Sequence, residues 1–319
     1  MQTSEDKPRL WRSKRYYSLN YFYRELFGEK VFKVALDGGF TCPNRDGTVS
    51  YGGCIFCSSR GSGDYAGERR LVLREQFREV RNKMHQKWPQ AKYIGYFQAF
   101  SNTYAPPEEL QEMYETIIAE EGVVGLSIAT RPDCLPDDVL SVLERINKKT
   151  KLWVELGLQT IHEQTQKLIN RGHSYQTFLE GVQKLRARDI NVVVHIIINL
   201  PGESREEMLE TARAVSKLPI QGIKLHMLHL IKDTPMVNLY KQGKLKFISK
   251  DKYIELVVDM LELFPPDVVI HRLTGDGPKD LLIEPLWTLK KWEVLNAIDS
   301  ELKRRDSWQG KYYQGWQSL

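Results

Sequence analysis

The chain has 319 residues, of which 41% are hydrophobic and 27% charged, and a net charge of +5, the bulk numbers of a soluble globular protein long enough for one large α/β domain or two ordinary ones. No apolar run reaches the roughly 18 residues of a membrane span, and the polar, basic start MQTSEDKPRLWRSKRYY lacks the apolar core of a secretory signal, so a cytoplasmic protein with no membrane partner is expected. Four cysteines in a chain of this size do not make a disulfide framework; in a reducing compartment they point to metal binding or catalysis.

Residues 7–33 carry Lys7, Arg9, Arg12, Lys14, Arg15, Arg24, Lys30 and Lys33 against only Glu25 and Glu29, with Trp11, Tyr16, Tyr17, Tyr21, Phe22 and Tyr23 interleaved. Lys303, Arg304, Arg305, Trp308, Lys311, Tyr312, Tyr313 and Trp316 repeat the mixture at the other end. Cations neutralise phosphates and rings stack on unpaired bases, so RNA contact is one reading of these ends; a solvated amphipathic surface is the other.

An alternation follows. VFKVALDGG (31–39) reads as a strand and GERRLVLREQFREVRNKMHQKW (67–88) as a charged amphipathic helix. KYIGYFQAF (92–100) is a strand and 106–121 a helix with proline and acids at its start. GLSIAT (125–130) is a strand, 136–147 a helix, and KLWVELGLQ (151–159) a strand with helical patterns at 161–170 and 174–189. NVVVHIIINL (191–200) suits a strand buried on both faces, SREEMLETARAVSKL (204–218) a helix capped by Ser204, and GIKLHMLHL (222–230) a sixth strand. Six strands alternating with helices predict a parallel α/β sheet, curled as a barrel or partial barrel or wound open, with reactive groups at the C-terminal strand ends. Beyond 231 a helix at 250–264, a short strand VVIHRL (268–273), the loop TGDGPKD (274–280) and a helix from 285 to 303 read as an extension of the same domain. The expected organisation is a basic aromatic segment (1–30), a core barrel (31–235) and a C-terminal extension packed on it (236–319).

Three cysteines, Cys42, Cys54 and Cys57, fall in the loop after the first strand with the spacing C-x11-C-x2-C. Cys-x2-Cys alone is a zinc half-site or a redox pair. A structural zinc site needs a fourth ligand, and the loop holds no histidine. Three thiolates also suit a [4Fe–4S] cube with one iron left open. The fourth thiol, Cys134, reads as a small buried hydrophobe.

Around this loop the sequence resembles the radical S-adenosylmethionine (SAM) superfamily. Its usual C-x3-C-x2-C spacing is lengthened here, as in a bacterial branch whose core is similar to that of the Elongator catalytic subunit. FQAFSNTYAP (97–106), ATRPDCLPD (129–137), VELGLQT (154–160), NRGHS (170–174), INLPGES (198–204), KLHMLHLIKDTPM (224–236) and HRLTGDGPKD (271–280) carry the resemblance, one on each successive strand end. It implies a partial (β/α)6 barrel of the TIM type, with Cys42, Cys54 and Cys57 holding the cluster and SAM on the open iron. It also implies reductive cleavage of SAM to a 5′-deoxyadenosyl radical, a one-electron reductant such as flavodoxin or ferredoxin, and a tRNA partner modified at the C5 side chain of a wobble uridine. VELGLQT and NLPGES also resemble parts of the oxygen-independent coproporphyrinogen oxidase branch, which implies a small-molecule substrate as the alternative; a zinc-bound RNA-binding protein is the non-enzymatic alternative.

By the same resemblance Gln98, Ser101 and Thr103 stand where a GGE-like motif holds the SAM amino group. Glu155 and Gln159, four apart on one strand and so on one face, meet cofactor or substrate. Arg171 is placed to pair with the SAM carboxylate, and Asn199 closes the fifth strand near the adenine. His195, Lys224 and His226 are the weaker candidates for substrate contact; His226 and His229, three apart, are expected to face opposite ways.

Overall fold

In the computed structural model, which describes residues 9–61, 63 and 65–315, the chain opens with helix α1 (Leu19–Phe27) before strands and helices begin to alternate. Lys7 and Trp316, counted above in the basic ends, lie outside the described residues. The elements that follow are β1 (Val31–Leu36), α2 (Leu73–His85), β2 (Lys92–Phe97), α3 (Pro107–Ile118), β3 (Val123–Thr130), α4 (Asp137–Lys149), β4 (Lys151–Gln159), α5 (Glu163–Leu168), α6 (Tyr175–Arg186), β5 (Asn191–Ile198), α7 (Arg205–Ser216) and β6 (Gly222–Met227). Then come β7 (Leu230–Ile231), α8 (Met236–Lys241), α9 (Lys250–Leu263), β8 (Val269–Arg272), β9 (Leu282–Glu284), a short 3-10 turn (Leu286–Leu289) and α10 (Lys291–Arg304).

The main sheet has seven parallel strands in the order β1-β2-β3-β4-β5-β6-β8, curled into a half-barrel. Its outer face carries Val34, Phe97, Leu126, Ile128, Val154, Leu156, Val192 and Val194, all buried under the helices. The expected partial barrel is therefore present, with one strand more. VVIHRL, read from sequence as part of an extension, is hydrogen-bonded to β6 as the seventh strand. The strand read over 222–230 stops at Met227; Leu230 and Ile231 turn away to pair antiparallel with Leu282 and Glu284.

Local chemistry sets the helix ends. Ser204 caps α7 as expected, and the structure adds a reciprocal box with Glu207. The helix expected from Gly67 begins only at Leu73, because Gly67 hydrogen-bonds back to Ala35 and the Gln76 side chain holds the turn through Asp37 and Leu71.

The basic aromatic N-terminal segment is not a free stacking surface. Trp11, Tyr16 and Tyr23 are buried. Phe22 meets Trp153 edge-on at 5.4 Å, and Tyr17, Leu19 and Phe22 pack on Trp153, Val193 and Val269 at the N-terminal end of the barrel. The chain's other end joins the same plug: Gln309 hydrogen-bonds Arg15 and Tyr17, and Arg15 pairs with Asp306 at 2.8 Å. Lys33 turns into the barrel interior from β1, its side chain largely buried.

Candidate functional site

The loop after β1 folds back on itself before its cysteines meet the barrel mouth. Arg45 and Asp46 donate their amides to the Cys42 carbonyl, Gly53 to Asn44, and Cys57 to Cys54. The long first gap is thus a built hairpin, with Asp46 bridged to Tyr51. Asn170 locks it from across the sheet, its Nδ2 donating to Gly53 O at 2.8 Å while Asn44 Nδ2 donates to Asn170 O at 2.7 Å. Gly172 is required there, since a Cβ would sit 2.2 Å from Asn44 Oδ1.

Cys42, Cys54 and Cys57 all line one cavity at the C-terminal strand ends. Among the described residues no three His, Cys, Asp or Glu side chains converge as ligands of a single ion. Two N–H donors face the Cys54 sulfur, Asn44 Nδ2 at 3.7 Å and Arg171 Nη1 at 3.8 Å. Hydrogen bonds of this kind to cluster sulfurs set an iron–sulfur centre's potential.

Of the other predicted residues, Gln98, Ser101, Glu155, Gln159, Arg171, His195 and His226 line the same cavity. Apart from His226, three carry buried polar atoms without a partner: Ser101 Oγ, Gln159 Oε1 and Arg171 Nε. Orphaned buried groups of this sort are costly unless a ligand completes them. One acceptor and two donors here match the amino and carboxylate groups of SAM. Ala99, Phe100 and Gln159 have φ of 80, 60 and 68°, a left-handed backbone uncommon outside glycine and frequent at functional sites. Gly157 lets Arg171 through: a Cβ would lie 2.6 Å from its Nη2.

Other expectations are corrected. Thr103 is consumed by Thr130 and the Cys134 carbonyl, both at 2.6 Å. Asn199 clamps the backbone of Lys246 and Ile248 and is not among the cavity-lining residues. Lys224 lies below the cavity, not on its wall. His226 and His229 do not oppose one another; β6 ends at Met227 and both line the cavity. Cys134, by contrast, is buried as expected, and burial pushes its thiol up to about 12, with Asp133 adding to the effect.

Glu155 is spoken for by the protein itself. Its carboxylate accepts from Lys33 at 2.7 Å, from Lys224 and Ser127 at short range, and contacts His195 Nε2 at 2.8 Å. Burial raises its pKa, but Lys224, Lys33 and His195 outweigh burial and hold it well below the usual carboxylate range. Burial lowers both lysines against the pull of Glu155. Burial, with repulsion from Lys224, draws His195 down to about 4.

Three participants gave little sequence signal. Lys33 was counted with the surface charges. Arg131, quoted within a motif, forms a bidentate pair with Asp133 at 2.9 and 2.7 Å and donates to Arg171 O, fixing that loop. Arg272 reaches the cavity from β8 through a register shift against β6.

A parallel half-barrel with a three-cysteine loop and an orphaned polar set at its mouth defines a SAM-dependent iron–sulfur enzyme. The Radical SAM superfamily model matches residues 42–215 and the Radical_SAM C-terminal domain model residues 220–304. The chain belongs to the radical SAM superfamily, and its cofactors are that family's [4Fe–4S] cluster and SAM. It is similar to YtqA of Bacillus subtilis (strain 168), 60% identical over 301 residues that cover 94% of each chain. It is also similar to Elongator complex protein 3 of Schizosaccharomyces pombe, 29% identical across 59% of this chain and 35% of that one. Among solved structures, an archaeal Elp3 from Methanocaldococcus infernus with an N-terminal deletion superposes with a TM-score of 0.63 at 18% identity, covering 88% of this chain and 64% of the other. Membership sets aside the zinc reading of the cysteines. Among the described residues no helix is long and apolar enough to cross a membrane.

Proposed function

We propose that the protein is a cytoplasmic radical SAM enzyme that modifies the C5 side chain of a tRNA wobble uridine, with flavodoxin or ferredoxin as electron donor. The observation that carries the RNA half is the kinship with Elongator complex protein 3, matched across 59% of the chain. The terminal aromatics do not support it, since most are packed in the barrel plug. Exposed Arg60, Arg69 and Arg70, on the segment leaving Cys57 at the cavity rim, supply cations for phosphates instead.

When bound, the cluster and SAM supply a one-electron reduction and a radical able to remove a substrate hydrogen. The chain's own part is to hold and shield. Cys42, Cys54 and Cys57 hold the cluster, with Asn44 and Arg171 donating toward the Cys54 sulfur. Arg171 and Ser101 would donate to the SAM carboxylate, and Gln159 and Gln98, on the wall of the same cavity, would accept from the amino group. Tyr65 donates to Gly277 O at 2.7 Å and so ties the segment after the cysteines to the loop after β8, narrowing the mouth against water.

Two measurements test this. Anaerobically purified protein is expected to be brown with about four irons per chain and to lose iron and sulfide in Cys54→Ala. Mass spectrometry of tRNA nucleosides from a deletion strain is expected to show a wobble uridine whose side chain stops one step short. An unchanged profile overturns the RNA substrate and leaves the small-molecule alternative.

A further inference from the structure

On the side of the cavity built by β6 and β8, three basic side chains converge without a protein partner. Arg272 has no ion-pair or hydrogen-bond partner among the described residues, although it is half-buried. His226 Nε2 and His229 Nε2 are buried and unpartnered. The three surround one small void. A methyl group built on Gly275 would lie 3.5 Å from His226 Nδ1, 3.5 Å from His229 Cε1 and 4.0 Å from Arg272 Nη1.

The charges of this wall do not cancel. A cation withdrawn from water is costly without a counter-ion. Among the described residues the two carboxylates that line the cavity are already engaged, Glu155 by Lys33 and Lys224, and Asp276 by Lys291 at 2.6 Å. Among the described residues Arg272 is therefore an uncompensated positive charge facing the cavity. The two histidines add donors without adding charge, because burial keeps both imidazoles neutral at physiological pH, drawing His229 down to about 4. The fold places Arg272 here deliberately: the register shift between β6 and β8 lets His271 contact Lys33 and Trp153 while the next residue reaches the cavity.

We infer that Arg272, His226 and His229 form a subsite for a terminal anionic group of the substrate, a carboxylate or a phosphate. The subsite lies on the β6–β8 edge of the sheet, opposite in strand order to β1, which launches the cysteine loop, and uses none of the groups assigned to SAM. A guanidinium fork flanked by two neutral N–H donors suits two or three anionic oxygens. The inference deepens the proposed function and rests on it for the premise that substrate enters this cavity.

The test uses reconstituted holoenzyme saturated with SAM, with acetate or inorganic phosphate as probe and chloride at equal ionic strength as control. A ligand that binds only the native state raises the unfolding midpoint. Wild type is expected to gain several degrees from acetate, from phosphate or from both, the effective anion naming the carboxylate or the phosphate. Arg272→Gln and Gly275→Ala are expected to lose that gain while unfolding near the wild-type midpoint without the probe. Gly275→Ala only brings a methyl to ordinary contact distance, so it fills the void without breaking the fold. No gain in wild type, or an equal gain in all three proteins, overturns the subsite. Complementation separates it from the RNA reading. If the deletion strain's tRNA is unchanged but the gain is lost in Arg272→Gln, the subsite stands and the RNA substrate falls. If the tRNA changes and Arg272→Gln restores it fully, the RNA substrate stands and the subsite falls.

Discussion

Glu155 shows how a site residue can be found for one reason and used for another. A carboxylate in the middle of VELGLQT had to be inside the barrel, and burial without partners would have been prohibitive. The sequence could not show that the partners are the protein's own, because Lys33 and Lys224 come from strands 122 and 69 residues away. Replacing Glu155 by Gln removes the carboxylate that pairs both interior lysines and is expected to cost about 3–5 kcal/mol, read as a lower urea midpoint. Adding Lys224→Met to Glu155→Gln should recover part of that loss, since one stranded cation is gone; an additive double mutant would show that the two do not act as a pair. The cysteines, Gln98, Ser101, Gln159 and Arg171 were legible because each sits in a motif at a strand end. Thr103 and Asn199 sit in equally good motifs, but their polar atoms are spent on backbone closure, which no motif reveals. Arg272 was invisible for the opposite reason: its place depends on a register shift, not on a pattern.

At the scale of elements, the alternation of buried runs and amphipathic helices made six strands readable, since a parallel strand covered on both faces is nearly continuous in Val, Ile and Leu. Helix α1 was missed because its aromatics and cations look like surface when counted together. In space the two kinds separate, rings toward Trp153 and charges outward, as an amphipathic helix requires. Phe22 decides between plug and RNA platform. It touches Trp153, Tyr17 and Tyr23, with ring centroids 5.4 to 6.1 Å apart. Phe22→Ala is expected to cost about 2–3 kcal/mol, below the usual loss for a fully buried ring because Phe22 is half-buried. The folded variant should bind tRNA as wild type does in a filter-binding assay. A tenfold loss of affinity at unchanged stability would return the aromatic segment to RNA.

Across the whole molecule, the interior that prepares the cavity also sets its acid tolerance. Of seven histidines, five are held below their ordinary pKa chiefly by burial: His173 at about 2, His195 and His229 at about 4, and His226 and His271 well below 6.5. In the unfolded chain the same imidazoles take up protons near pH 6.5. The unfolded state therefore binds more protons as pH drops, and stability must fall with it. The contribution is complete above pH 6.5 and is lost as pH falls from there toward 4, each histidine giving up to about 1.4 kcal/mol per pH unit. Depressed carboxylates such as Glu155 and Glu301 act in the same direction but only below about 4.5, so the two sources separate on the pH axis. Urea midpoints of the apo protein between pH 7.5 and 5 are expected to be flat at the alkaline end and to drop steeply below 6.5. His195→Gln should flatten the drop by about one proton's worth, because Gln can still donate to Glu155 but does not titrate. A midpoint independent of pH between 6.5 and 5 would mean that the buried histidines are protonated in the folded state, and the neutral-donor role of His226 and His229 would go with it.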